Sequence, residues 1–221
     1  MPSILAADMA RLGEECRRAM DAGADGLHVD IMDGHFVPNL SMGPAVVSAL
    51  RSCFGPDVHL HVHLMIVQPD RYAEPFIQAG ANTVLIHIES PCDVHATLKD
   101  IRQRGVRAGI TVNPETPAAS IRDIVSDQLV DEVLCMTVHP GFGGQSFIAE
   151  VLPKIAEIRS WNEDLPISVD GGIDRDSAPR TAAVGADVML AGTSLFRAED
   201  MRTEIEAMRR ECSERYGAGA T

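Results

Sequence analysis

The chain has 221 residues, 45% apolar and 23% charged, which is enough to bury a sizeable core. Its formal charge of -13 excludes a surface built for nucleic acid or anionic lipid, since both demand clustered Lys and Arg. Apolar runs fall far short of the roughly 20 residues that cross a bilayer, and the acid-containing start MPSILAADMARLGEE does not read as a signal peptide, so a cytoplasmic protein without membrane partners is expected.

The predicted elements begin with SILA, a short first strand that lacks the residues needed to lengthen it; strand one is expected to be short or frayed, and the natural start to lie upstream. An amphipathic helix follows through Met9, Leu12, Cys16, Ala19 and Met20. Apolar strand candidates then fall at 25 to 31, 57 to 65, 82 to 88, 106 to 112, 132 to 138, 166 to 170 and 186 to 191. Val151, Leu152, Ile155 and Ile158 carry another helical stripe. DAGADGLHVDI, QAGANTVLIHI and AVGADVMLAG each read as helix, capping glycine and buried strand, at Gly23, Gly80 and Gly185. Their separations match two and four units of roughly 27 residues, the size of one strand plus one helix.

About eight such units with no Pro/Ser-rich linker predict a single α/β domain over residues 1–221, a (β/α)8 TIM barrel. Chemistry then belongs at the strand C-terminal ends. Cys16, Cys53, Cys92, Cys135 and Cys212 are scattered without a C-x-x-C pair and read as reduced, buried thiols.

Polar residues at predicted strand ends are Ser3; His28 and Asp30; His59, His61 and His63; His87; Asn113; His139; and Asp170. In HVD, His28 and Asp30 share one face of a strand. With His63 and Asp170 they could converge on a divalent ion; equally, an acid at a strand end can cap a helix and a histidine can be a satisfied core residue. In DVHLHVHLM only His63 is expected to reach the mouth, with His59 and His61 packed deeper; His95 is expected on the surface. HPGFGGQ at 139–145, DGG at 170–172 and AGTS at 191–194 follow the last three strand candidates, where backbone N–H groups can bind phosphate without a lysine. Met32, Met65 and Met136 stand at or just past strand ends, as plain filling or as a soft wall around a reacting carbon.

PSILAAD, HVDIMDGHFVPN, HLM, MTVHPGFGGQSF, SVDGGI and AGTSLF occur in the order found in ribulose-phosphate 3-epimerases, and the chain resembles that family through essentially its whole length. The resemblance implies metal-dependent interconversion of D-ribulose 5-phosphate and D-xylulose 5-phosphate through a cis-enediolate. It implies one divalent metal per chain, Zn²⁺ or Fe²⁺ first and Mn²⁺ or Co²⁺ as alternatives, held by His28, Asp30, His63 and Asp170. Asp30 and Asp170 become the acid/base pair, and Ser3 and His63 contact the sugar. Gly141, Phe142, Gly143, Gly144, Gly171, Gly172, Gly192 and Thr193 would hold the phosphate, while Met32, Met65 and Met136 line the intermediate. A homo-oligomer acting on a small-molecule sugar phosphate is expected. A D-allulose 6-phosphate 3-epimerase and a metal-assisted sugar-phosphate aldolase or lyase are the alternatives. His61 stands where the family commonly has an acid, and His139 where it commonly has Asn or an acid.

Overall fold

The computed structural model describes residues 1–216. Seven strands, β1 (Leu27–Met32), β2 (Leu60–Met65), β3 (Thr83–His87), β4 (Arg107–Val112), β5 (Glu132–Met136), β6 (Ile167–Asp170) and β7 (Val188–Leu190), form one parallel sheet in sequential order. The N-terminal segment stands between its two edges. Pro2 bridges Ala191 and Ser3 bridges His28, so the sheet curls into a nearly closed barrel. The first strand is thus shorter than SILA suggests: Ile4–Ala6 is already a 3-10 turn. It pairs on both sides, with Ser3 N donating to Ala191 O and His28 N to Pro2 O.

Helices α1 (Leu12–Asp21), α2 (Pro44–Phe54), α3 (Pro69–Gln78), α4 (Val94–Gln103), α5 (Arg122–Ser126), α6 (Leu152–Arg159), α7 (Ser177–Ala183), α8 (Thr193–Phe196) and α9 (Met201–Arg215) alternate with the strands. The seven expected strands after SILA are all present, with boundaries shifted by a residue or more. The first helical stripe starts later than its pattern: Met9 lies in a 3-10 turn and is exposed, while Cys16 and Ala19 are buried. Val151, Ile155 and Ile158 are buried as their spacing requires. Not every cysteine is internal. Cys16 and Cys135 are buried, Cys53 is exposed, and all five are free thiols.

The strand period of two sorts the core into two compartments. Leu27, Val29, Leu60, Val62, Val84, Ile86 and Ile110 face the helices and join one large apolar cluster. The alternate positions point into the barrel, where Leu85, Leu134, Met136, Val138 and Leu190 form a smaller cluster. Gly109 belongs to this inner layer: a Cβ there would lie 2.8 Å from the Leu85 side chain. Gly80 takes φ +108 after α3, a conformation that side-chained residues rarely adopt. At the mouth, Asp33 ties the loop after β1 to the next unit by accepting from the N–H groups of His35, Phe36 and Val67.

Candidate active site

His28 and Asp30 stand two apart on β1, His63 pairs beside Asp30 on β2, and Asp170 ends β6. Their inward alternation brings four potential ligand atoms within 4.8 Å of one another. Asp30 Oδ1 lies 3.0 Å from His28 Nε2 and 3.1 Å from His63 Nδ1, while Asp170 Oδ2 is 4.0 Å from His28 Nε2. The other Asp30 oxygen accepts from the Ser3 hydroxyl at 2.6 Å. Two nitrogens and two carboxylates in this space can hold a divalent ion such as Zn²⁺ or Fe²⁺. His28 and His63 are fully buried, with Asp30 and Asp170 above them on the cavity wall.

The two carboxyl groups have opposite electrostatics. Burial opposes charge on Asp30, but the imidazoles of His28 and His63 beside its Oδ1 hold its carboxyl well below the usual range. Burial and the charge of Asp30 push Asp170 well above that range. Burial also takes His28 down to about 4 against the pull of Asp30, so its ring is neutral at pH 7. Two carboxyl groups whose proton affinities are pushed in opposite directions therefore face one cavity, an arrangement that can divide the work of a general base and a general acid.

That cavity, about 310 Å³, is lined by Asp30 and Asp170 at its floor, by Met32, Met65 and Met136, and by the glycine loops. Gly141, Phe142, Gly143, Gly144, Gly171, Gly172, Gly192 and Thr193 all lie on its wall. Among the described residues, no acceptor takes the backbone N–H of Gly143, Gly144, Gly172 or Thr193. Such a cluster of free donors suits an anion in a protein that is itself acidic. Over the mouth, Val37 packs with Met32 and Met65, and Asn39 Nδ2 donates to Gly141 O at 2.7 Å. A larger cavity of about 490 Å³ lies beside β7 and α9, lined by Met1, Val188, Met208 and Tyr216 among others, and the clustered His/Asp set is not in it.

Some expected residues sit elsewhere. Ser3 lines the cavity, but its hydroxyl is engaged by Asp30. His63 lies beneath the cavity surface. His139 is exposed and pairs with Glu115 at 3.0 Å, away from the His/Asp cluster. His59 meets Thr83 Oγ1, and His95 is on the surface. Sequence reasoning did not single out Glu89 or Glu132. Glu132 is 3% exposed inside the barrel, with its Oε1 3.0 Å from His61 Nε2. Burial opposes its charge, but His61 reverses the balance and takes its carboxyl down to about 2. An acid heading a buried apolar strand, EVLCM, is the signal that could have flagged it.

The model of the ribulose-phosphate 3 epimerase family matches residues 1–196. The chain belongs to the ribulose-phosphate 3-epimerase family. It is 44% identical over 213 residues to the ribulose-phosphate 3-epimerase of Bacillus subtilis (strain 168), covering 94% of this chain and 96% of that protein. Against the Synechocystis enzyme of the same name, identity is 43%, over 94% of this chain and 91% of the relative. The fold is shared more widely: a 3-hexulose-6-phosphate synthase structure superposes with a TM-score of 0.66 at 17% identity, covering 96% of this chain and 93% of that one. This family membership agrees with the resemblance carried by the HVDIMDGHFVPN and MTVHPGFGGQSF segments.

Proposed function

We propose that the chain epimerises D-ribulose 5-phosphate at C3 to D-xylulose 5-phosphate. The observation that carries this reading is the pair of oppositely poised carboxyl groups, Asp30 and Asp170, on one cavity beside unpaired backbone donors. Relatives named for that activity, at 43 to 44% identity over nearly the whole chain, support the choice of substrate.

Inverting a carbon beside a ketone requires a proton to leave one face and another to arrive on the opposite face. Asp30 takes the C3 proton on one face and Asp170 delivers a proton to the other, and the reverse reaction exchanges their roles. Ser3 steadies Asp30 through its outer oxygen. Met32, Met65 and Met136 exclude water from the cis-enediolate, which otherwise would be reprotonated without facial control. The N–H groups around Gly143, Gly144, Gly172 and Thr193 hold the phosphate and place C3 between the carboxyl groups. His28, Asp30, His63 and Asp170 would hold one divalent ion, with Zn²⁺ or Fe²⁺ suiting the nitrogen and oxygen donors best. When bound, the ion would supply positive charge that stabilises the enediolate.

Five free thiols favour a reducing, cytoplasmic setting. Leu40 and Phe142, exposed beside the mouth, offer apolar surface that a second copy could cover in a homo-oligomer, a state light scattering would read. The test of the reaction is a single turnover in heavy water. Product carrying solvent deuterium at C3 is expected, because the abstracted proton stays on one carboxylate. Retention of the substrate's own C3 hydrogen would overturn the two-group assignment, and absence of turnover with ribulose 5-phosphate would overturn the substrate.

A further inference from the structure

Two buried chains of hydrogen-bonding groups run outward from the His/Asp cluster. On one side, His28 Nδ1 lies 2.8 Å from His61 Nδ1, and His61 Nε2 lies 3.0 Å from Glu132 Oε1. On the other, His63 Nε2 lies 2.8 Å from His87 Nε2, and His87 Nδ1 lies 3.0 Å from Glu89 Oε2. All four imidazoles are fully buried. Each inner histidine thus has an outer histidine behind it, and each outer histidine a carboxylate.

The chemistry of these groups sets a direction. An ionised carboxylate accepts and cannot donate, so Glu132 requires N–H at His61 Nε2. In a neutral His61 ring this leaves Nδ1 as an acceptor, and the hydrogen on His28 is drawn to its own Nδ1. His28 Nε2, facing Asp30, is then left with its lone pair. The same steps from Glu89 through His87 place the hydrogen of His63 on Nε2 and leave the lone pair on Nδ1, again facing Asp30. The two paths differ in which ring nitrogen they free, yet both freed nitrogens face the same oxygen.

We infer that Glu132–His61 and Glu89–His87 are positioning pairs that select the tautomers of His28 and His63, so that both inner rings present lone pairs to a divalent cation. The inference rests on the metal-site part of the proposed function and concerns residues outside the ligand set. Outer partners of metal-bound histidines generally influence affinity through orientation and basicity. Here the carboxylate acts through an additional ring, which spans the distance from β5 to β1 across the barrel interior.

The test uses Zn²⁺ alone as probe on the intact metal-free chain, with chelator competition for affinity and ¹⁵N imidazole shifts for tautomer. Glu132→Gln keeps the shape but supplies an amide that can donate to His61 Nε2, which sends the His28 hydrogen toward Nε2. The expected result is about 10- to 100-fold weaker Zn²⁺ binding together with a larger Nε2–H fraction at His28. Adding His61→Asp to Glu132→Gln should restore affinity, because Asp carries an oxygen at nearly the reach of the His61 Nδ1 it replaces. Glu89→Gln reports on His63 in the same way and serves if Glu132→Gln does not fold.

Unchanged Zn²⁺ affinity and tautomer in a folded variant would overturn the inference. So would weaker binding without a tautomer change, or without restoration by His61→Asp. Since neither readout uses turnover, a chain that binds Zn²⁺ as described but fails to epimerise ribulose 5-phosphate would refute the proposed function and leave this inference standing.

Discussion

The floor and the rim of the cavity are built by different means. On the floor, His28, Asp30, His63 and Asp170 are side chains on strands; the first three are buried within 3.1 Å of one another's polar atoms along the chain His28–Asp30–His63, and half-buried Asp170 stands 4.0 Å from His28. On the rim, Gly143, Gly144, Gly172 and Thr193 present backbone N–H groups from loops and from the start of α8. The physical requirement differs: proton transfer needs groups whose charge is set by burial and neighbours, whereas an anion needs several donors converging without side chains in the way. The floor should therefore be sensitive to isosteric changes of charge, and the rim to added bulk.

The largest effect expected from this contrast is on the floor. Asp30→Asn or Asp170→Asn should lower kcat about 1000-fold with Tm nearly unchanged, as measured by a coupled assay with metal content checked in parallel. A variant retaining a tenth of wild-type kcat would break the distinction between floor and rim.

Acid stability probes the floor without substrate. Burial lowers His28, His59 and His87 to about 4, so between pH 6.5 and 4 the unfolded chain binds protons that the folded chain refuses. Stability of the metal-free protein, full above pH 6.5, should fall as pH drops through that window. The slope is about 1.4 kcal/mol per pH unit for each fully buried histidine. Asp170 works with the opposite sign, costing more as pH rises above its ordinary 3.8, and offsets part of the loss. Glu132, held at about 2, adds its own loss only below its ordinary 4.5. Denaturant melts from pH 7 to 4 measure the sum, and a flat profile would show that the histidines titrate normally.

On the rim, Gly143 and Gly172 should separate function from folding. A Cβ at Gly143 meets nothing within 4 Å, so Gly143→Leu should raise KM about 30-fold while leaving Tm unchanged. A Cβ at Gly172 would lie 2.6 Å from Phe147 N, and φ there is +64, so Gly172→Ala should lower Tm by several degrees. Equal Tm values for the two variants would contradict this packing. The smallest effect belongs to the contact between the mouth loops: Asn39→Ala removes the bond to Gly141 O and should raise KM about threefold.

Much of this was legible along the chain. Seven strand candidates, three capping glycines and the HVD alternation report local properties, namely period, backbone freedom and facing, which neighbouring residues determine. The four clustered His and Asp residues could likewise be named, because each is a polar residue on the inward face of an apolar strand. The first strand could not be measured this way. SILA has strand composition, yet Ile4 turns into a 3-10 helix just after Ser3, whose hydroxyl is bonded to Asp30. Cys53 also escaped, because a small apolar residue does not report which side of its helix faces solvent.

The sequence by itself determined a barrel of βα units, the inward face of each strand and the residues from which an acid/base and metal site could be drawn, since these follow from period and spacing. Only the tertiary structure decided which of those residues meet. Glu132 and His61 are 71 positions apart, and no local pattern gives a lone acid on β5 a histidine partner on β2. Closure of the barrel puts them 3.0 Å apart, excludes water from the pair, and lets His61 hold the buried Glu132 carboxyl down to about 2.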